Sequence, residues 1–288
     1  MNYLWNALIL ISIYGLLNLG NNYTIGYSGL LNLACAAMFA IGSYSAALLL
    51  THFQMGFLPT VFVSLMISVV LSLIVGVGSL HYKRTSFALV SLAFQLLILS
   101  LIKNLQIFGG ALGIKSIPHA EIVGISFNNP FLFFLLAGFF LALGVIVSIF
   151  LQHSQWALSL QAVRDDEVLS LSLGKRVKLL RLQSFVVSSM YSGLAGILFA
   201  THYSYVDSSS FSPDESIFLL LALICGGTCN TKGPLLGALI AVGLPELLRY
   251  LGVSSMYASA LRNIIFAIVV LVLMRIRPQG LSGKYEFR

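Results

Sequence analysis

"PFLFFLLAGFFLALGVIVSIFLQHSQWALSLQAVRDDEVLSLSLGKRVKLLR", residues 130–181, sets an apolar run against a charged one. The part from 130 to 151 contains no charged residue. The part from 164 to 181 carries Arg164, Asp165, Asp166, Glu167, Lys175, Arg176, Lys178 and Arg181. The whole chain has only 16 Lys and Arg and 9 Asp and Glu, so nearly a third of its charge lies here. The apolar run fits a helix crossing about 30 Å of hydrocarbon, which takes roughly 17–25 residues. Runs at 4–19, 29–50, 57–80, 86–102 and 183–200 read the same way. With 58% hydrophobic and 9% charged residues, the chain departs from the soluble mix of about 45–50% apolar and 25% charged. The expected fold class is all-α, a polytopic transmembrane helical bundle of about 8 spans, with 8–10 membrane-embedded helices. It is expected to form a single domain over 1–288.

Charge placement suggests the sidedness. With the amino terminus outside, segments 20–27, 81–85, 152–182, 226–233 and 275–288 face the cytoplasm and hold most of the Lys and Arg. Lys103, Lys115, Arg249 and Arg262 remain outside, and so does the acidic loop "SYVDSSSFSPDE" (204–215). That asymmetry is what the positive-inside rule requires, and it also accounts for the net charge of +7 without nucleic acid. The first apolar run lacks a preceding basic region and a following cleavage site, so it is expected to be a span and not a signal peptide. Re-entrant or broken helices are expected near 103–128 and 216–234, where Gly109, Gly110, Gly113 and Pro118, and then "GGTCNTKGP" (226–234), interrupt the helical pattern.

Few residues could carry catalysis. His52, His81, His119, His153 and His202 are scattered without ligand spacing. Cys35, Cys225 and Cys229 lie in apolar surroundings and read as buried thiols. "GGTCNTKGP" lacks the second glycine and the hydroxyl of a phosphate loop in the right places, so no nucleotide site is expected. No metal site is expected either. Glu246 and Arg249 in "LPELLRYLG" can pair on one helix face, and Arg262 begins the last apolar run. No acid precedes Glu246 in any expected span, which leaves an ion-driven carrier with Glu246 as its only candidate proton relay.

The polar content inside the spans is neutral. "NLGNNYTIGYSGLLNL" (18–33) supplies Asn18, Asn21, Asn22, Tyr27, Ser28 and Asn32, and Gln95 sits in mid-span. Each could serve interhelical hydrogen bonding, but together they are candidates to line a path for a polar solute. Small residues mark helix-packing faces: Ser192, Gly196 and Ala200 recur at four-residue spacing, as do Gly42 with Ala46 and Gly233 with Gly237.

In the charged segment, apolar residues surround the acidic triplet. Asp165, Asp166 and Glu167 suit the start of a short helix, and Gly174 suits its end. A short amphipathic helix docked on a cytoplasmic protein explains both the apolar residues and the acids, whereas an ordinary charged loop explains only the acids.

"GYSGLLNLACAAMFAIGSYSAALL" (26–49), "ALSLQAVRDDEVLSLSLG" (157–174), "SGLAGILFA" (192–200), "GGTCNTKGPLLGALI" (226–240), "LPELLR" (244–249) and "RPQGLSG" (277–283) occur in the order found in another group of proteins. They resemble landmarks of the ABC-importer permeases of the branched-chain amino acid family, in particular its M-type membrane subunit. The resemblance implies a permease domain with a cytoplasmic coupling segment at about 156–181. Within it, 157–174 would be the helix that engages the ATPase, with Arg164, Asp165, Asp166, Glu167 and Gly174 matching the coupling motif. It implies a second permease subunit (a sister chain or a second copy), two cytoplasmic ABC ATPases and an external solute-binding protein. No cofactor is expected on this chain; ATP and Mg are used by the partner ATPases. The implied location is a bacterial inner membrane, with the carboxyl terminus cytoplasmic. Departures from the family pattern, "GGALGI" (109–114), "CNTKGP" (229–234) and Cys35, bear on the solute, since relatives handle urea or other amides, nucleosides and sugars.

Overall fold

The computed structural model describes residues 2–79, 84–122, 125–250, 267, 268, 272, 275 and 280–282. The side chains within 244–250, and so those of Glu246 and Arg249, lie outside that description, as does Arg262. Among the described residues five helices are long and apolar enough to cross a membrane: Leu4–Tyr27, Phe57–Gly78, Ser86–Asn104, Pro130–Gln152 and Val177–Tyr203. The protein is a polytopic helical membrane protein. In chain order the α-helices are α1 (Asn2–Asn21), α2 (Cys35–Thr51), α3 (Phe57–Ser79), α4 (Arg84–Asn104), α5 (Pro130–Gln152), α6 (Gln155–Asp165), α7 (Glu167–Ser172), α8 (Val177–Tyr203), α9 (Pro213–Gly226) and α10 (Lys232–Tyr250). The two-residue strands are β1 (Ile114–Lys115), β2 (Glu121–Ile122), β3 (Ile125–Ser126) and β4 (Tyr205–Val206).

Two stretches differ from the sequence expectation and a third meets it. The run at 29–50 becomes helical only at Cys35. Residues 28–34 form a non-helical return, buried except at Leu31 and Leu33, after the π-helical turn Asn22–Tyr27, with Gly29 at φ 68°. Asn32 Oδ1 accepts from Ala34 N at 2.9 Å, a local bond that competes with helix at this point. Irregular backbone is tolerated at membrane depth when it is buried in protein. The stretch 105–122 holds 3₁₀ turns and strands and no α-helix, so no re-entrant helix is found in its described residues. Its β1 pairs antiparallel with β4, Ile114 opposite Val206. Near 216–234 a helix is broken as expected, because α9 ends at Gly226 and α10 begins at Lys232.

α8 is the centre of the bundle and is mostly buried, whereas α3 and α5 turn residues such as Phe62, Ile74, Phe139 and Phe150 outward. Such faces suit lipid, and lipid gives no hydrophobic drive for helix association, so close backbone approach does much of the joining. A Cβ on Gly42 would fall inside the backbone of Gly193, and one on Gly196 inside that of Phe39, where α2 crosses α8. The hairpin of α9 and α10 is equally tight. A Cβ on Gly226 would collide with Gly233, and one on Gly237 with Ala222. Ala46, Ala200 and Ser192 are buried in the same core, the last with its hydroxyl 3.5 Å from Cys35 Sγ.

The loops gather at two ends. At the loop end, β1 meets β4, His119 Nδ1 lies 3.3 Å from Thr201 O, and Gln95 Nε2 donates to Phe211 O at 2.6 Å. At the connector end, the turn after α1, the α6–α7 segment, the α9–α10 turn and residues 280–282 meet.

Candidate functional site

The connector between α5 and α8 is built from local rules. Ser154 caps α6, accepting from Ala157 N at 3.4 Å. Asp166 has extended dihedrals (φ −146°, ψ 108°) and accepts from Leu169 N at 2.9 Å, capping α7. A side-chain oxygen at this position satisfies a free N–H of the first turn, and Glu167 adds charge complementary to the helix dipole. Gly174, at φ 77°, closes α7. Its N–H bonds to Leu171 O at 2.9 Å and that of Lys175 to Ser170 O at 3.1 Å, the two bonds of a Schellman end. The expected single helix over 157–174 is therefore two, because the cap geometry of Asp166 requires a break there.

The acids and the arginine of the triplet region face opposite ways. Asp165, Asp166 and Glu167 are exposed, and so are Val168, Leu169, Leu171 and Leu173. Arg164 is 8% exposed and points into the bundle. Its guanidinium donates to Gly26 O at 2.7 Å, to Cys229 Sγ at 2.7 Å and to Asp165 Oδ1 at 2.9 Å. One side chain thus joins the connector, the π-helical turn after α1 and the α9–α10 turn. Arg181, 4% exposed on α8, makes a bidentate pair with Glu167 at 3.0 and 2.7 Å and fastens α7. Lys175 Nζ donates to Ser159 Oγ at 3.0 Å across the two short helices.

The α9–α10 turn is held from every side. Asn22 Nδ2 donates to Asn230 O at 2.8 Å, while Asn22 Oδ1 accepts from Cys229 N at 3.0 Å. Asn230 Oδ1 accepts from Gly233 N at 2.7 Å and so caps α10. Thr231 donates to Gln152 Oε1 at 2.7 Å, and the backbone N–H groups of Leu281 and Ser282 donate to Cys225 O and Gly226 O, each at 3.0 Å. These bonds satisfy carbonyls that the end of α9 leaves free.

One face of α1 links the two ends. Leu10, Tyr14 and Asn18 recur every fourth residue, the spacing of a single helix face, and Asn22 and Gly26 continue it in the π-helical turn. Asn18 reaches between α9 and α10, its Nδ2 3.4 Å from Pro234 O. Turning that amide over gives bonds of 3.3 Å to Leu219 O and Ala238 N instead. The other candidates for a solute path divide. Asn21 is buried beside Cys35, and Tyr27 stacks on Tyr23 with centroids 5.4 Å apart. Ser28 is buried with no partner for its hydroxyl, Asn32 is used as a turn residue, and Gln95 lies away from the others at the loop end. Cys229 and Gly26 as partners of Arg164 carry no local signal; the sequence marks one as a buried thiol and the other as a landmark glycine. Among the described residues no three His, Cys, Asp or Glu stand together to hold a metal.

Comparison with known proteins bears on this arrangement. The family described as "Branched-chain amino acid transport system / permease component" matches residues 3–274. The chain is similar to the high-affinity branched-chain amino acid transport system permease protein LivM of Escherichia coli strain K12, 29% identical over 296 residues, which cover 93% of this chain and 67% of that protein. It is also similar to the corresponding LivH protein of Salmonella typhimurium strain LT2, 23% identical over 301 residues covering 98% and 95%. The probable LivM of Methanocaldococcus jannaschii is 24% identical over 189 residues, covering 62% and 54%. No solved structure gives a significant match.

Proposed function

We propose a mechanism from one premise: the chain belongs to the family of branched-chain amino acid transport system permease components. It is a multi-pass membrane permease and not itself an enzyme. In our reading it is one permease of an ATP-binding-cassette importer in a bacterial inner membrane, moving a branched-chain or other small amino acid. It pairs with a second permease chain, takes solute from an external binding protein, and is driven by two cytoplasmic ATPases that use ATP and Mg. The connector end faces the cytoplasm, as its basic residues favour.

The observation that carries this reading is the two-sided connector. Val168, Leu169, Leu171 and Leu173 are exposed on a segment too charged to lie in lipid, and an apolar patch of that kind marks a protein contact. On the other side Arg164 is tied to Gly26 and Cys229. A push on α7 therefore reaches the turn after α1 and the turn between α9 and α10 through fixed hydrogen bonds. Those two turns lie at the inner end of the polar face of α1, where Asn18 and Asn22 bind the α9–α10 hairpin and Ser28 keeps an unpartnered hydroxyl for a solute. Shifting α1 against the α9–α10 hairpin opens or closes that seam, so ATPase closure becomes solute movement.

The test is the paired change Val168→Asp and Leu173→Asp in the reconstituted importer. The expected result is a folded permease that no longer retains the ATPase and no longer drives uptake. Retention of both overturns the coupling role. A single cysteine placed at position 166 should be labelled from the cytoplasmic side; labelling from the exterior alone overturns the orientation.

A further inference from the structure

A cavity of about 460 Å³ opens at the loop end, bounded by α1, the end of α8, the loop through Asp207, α9 and α10. Of the stretches singled out from the sequence, the acidic loop 204–215 and the landmark 192–200 reach it, whereas none of the expected solute-path residues does. Half of its ten lining residues are aromatic, namely Tyr14, Phe199, Tyr203, Tyr205 and Phe218, and Asp207 is the only charged one among the described residues. Tyr203 and Tyr205 are 46% and 39% exposed and form the mouth, whereas Phe218 is 7% exposed and lies at the floor. Phe199 packs against Tyr203 with centroids 4.7 Å apart, and Tyr14 meets Phe218 edge-on at 6.5 Å.

The charge at the mouth is fixed in place. Partial burial alone would raise the pKa of Asp207, but hydrogen bonds from Ser209 and Ser210 outweigh it and hold the carboxyl below its ordinary value. It is therefore anionic at neutral pH. Glu215 stands close by, accepting from Tyr14. Asp207 shares this cavity with Tyr203 and Tyr205, and an ammonium is attracted by a carboxylate through its charge and by a tyrosine through its ring quadrupole. The apolar floor suits an aliphatic chain, and the volume lies within the range of small-molecule sites, about 300–1,000 Å³. Among the described residues the wall carries only the negative charge of Asp207, which repels a free carboxylate.

We propose that this cavity binds the ammonium group of an incoming amino acid or aliphatic amine, with the cation between Asp207 and the Tyr203 and Tyr205 rings and the aliphatic chain against Phe199 and Phe218. The inference rests on the permease reading and names the part of the solute that this chain recognises. Leu10 and Tyr14 bring the site onto the α1 face that continues to Asn18, so a solute held there stands at the outer mouth of the seam. The carboxylate of an amino acid points away from Asp207, towards solvent.

Calorimetric titration of the assembled importer in lipid nanodiscs, without binding protein, tests it with three probes: L-leucinamide, L-leucine and 4-methylpentanoate. Leucinamide and leucine should bind and 4-methylpentanoate should not. Asp207→Asn should weaken leucinamide binding by about tenfold and Tyr203→Leu by about fivefold, the scale of a lost ion contact and a lost cation–ring contact. Tyr203 is half-exposed, so its replacement reads the site even if Asp207→Asn disturbs the loop. Equal binding of 4-methylpentanoate, no binding of any probe, or unchanged affinity in both variants overturns the proposal. ATP-driven leucine uptake separates the two readings. Uptake with an unchanged KM in both variants overturns the cavity and leaves the permease standing, whereas no ATP-driven uptake by the unaltered complex overturns the permease reading even where leucinamide binds.

Discussion

Arg164 and Asp207 sit at opposite ends of the molecule and are held in opposite ways. The guanidinium is buried and spends its donors on groups from three parts of the chain. The carboxylate is fixed by two neighbouring serines, and it lines a cavity whose mouth is open. A bundle that must move as a unit needs the first kind of site, since a push travels only through contacts that do not slip. A bundle that must admit a solute needs the second, since a charge can meet a solute only where the fold leaves it open on one side. The two ends share one element, the polar face of α1, which packs against the α9–α10 hairpin along its length.

This contrast can be broken most severely at the connector end. Arg164→Ala should lower uptake by at least about tenfold while ATP hydrolysis by the assembled complex continues, because the connector still docks but no longer grips the two turns. Arg164→Lys should restore little, since an ammonium cannot present the planar fork that serves several acceptors at once. A proportional loss of ATPase activity and uptake would place Arg164 in assembly and not in transmission.

Asn22→Ala should come next. It leaves Asn230 O and Cys229 N buried without their side-chain partner, at about 1–3 kcal/mol for each orphaned group. The expected outcome is a thermal midpoint several degrees lower for the complex in detergent. An unchanged midpoint would mean that the α9–α10 turn is held by its other bonds alone.

Asp166→Ala should cost about 1 kcal/mol, the usual price of a lost N-cap. It should show as faster amide exchange over 167–172 and little change elsewhere. At the loop end Tyr203→Leu should cost no more than about 1.5 kcal/mol, the scale of a lost aromatic pair, although it should weaken ammonium binding. If Tyr203→Leu destabilised the chain as much as Asn22→Ala, the distinction between a satisfied end and an open end would fail.

Much of this architecture was legible from residues read locally. The apolar runs required membrane helices because too little charge exists to cover a soluble surface. The break near 226–233 was visible in its glycines and proline. The ends of α7 were visible too, since Asp166 and Gly174 act on backbone groups within five residues. The late start of α2 was harder to see, because residues 28–34 are apolar enough for helix and are held out of it by Gly29, Asn32 and their packing. The expected helix at 157–174 became two for a related reason: a cap residue in the middle of a helical pattern ends one helix as it starts the next.

Composition, periodicity and caps act over a few residues, and so the sequence alone determined the class of the protein, most of its apolar helices, and a charged connector with an apolar face. Which distant residues meet was decided only by the tertiary structure. Arg164 lies 138 positions from Gly26 and 65 from Cys229, and Asn22 lies 208 from Asn230. The aromatic cavity likewise draws on α1, α8, α9 and α10 together. No local rule can foresee those meetings, because they follow from how closely glycine-lined helices approach one another, and that distance is a property of the packed bundle.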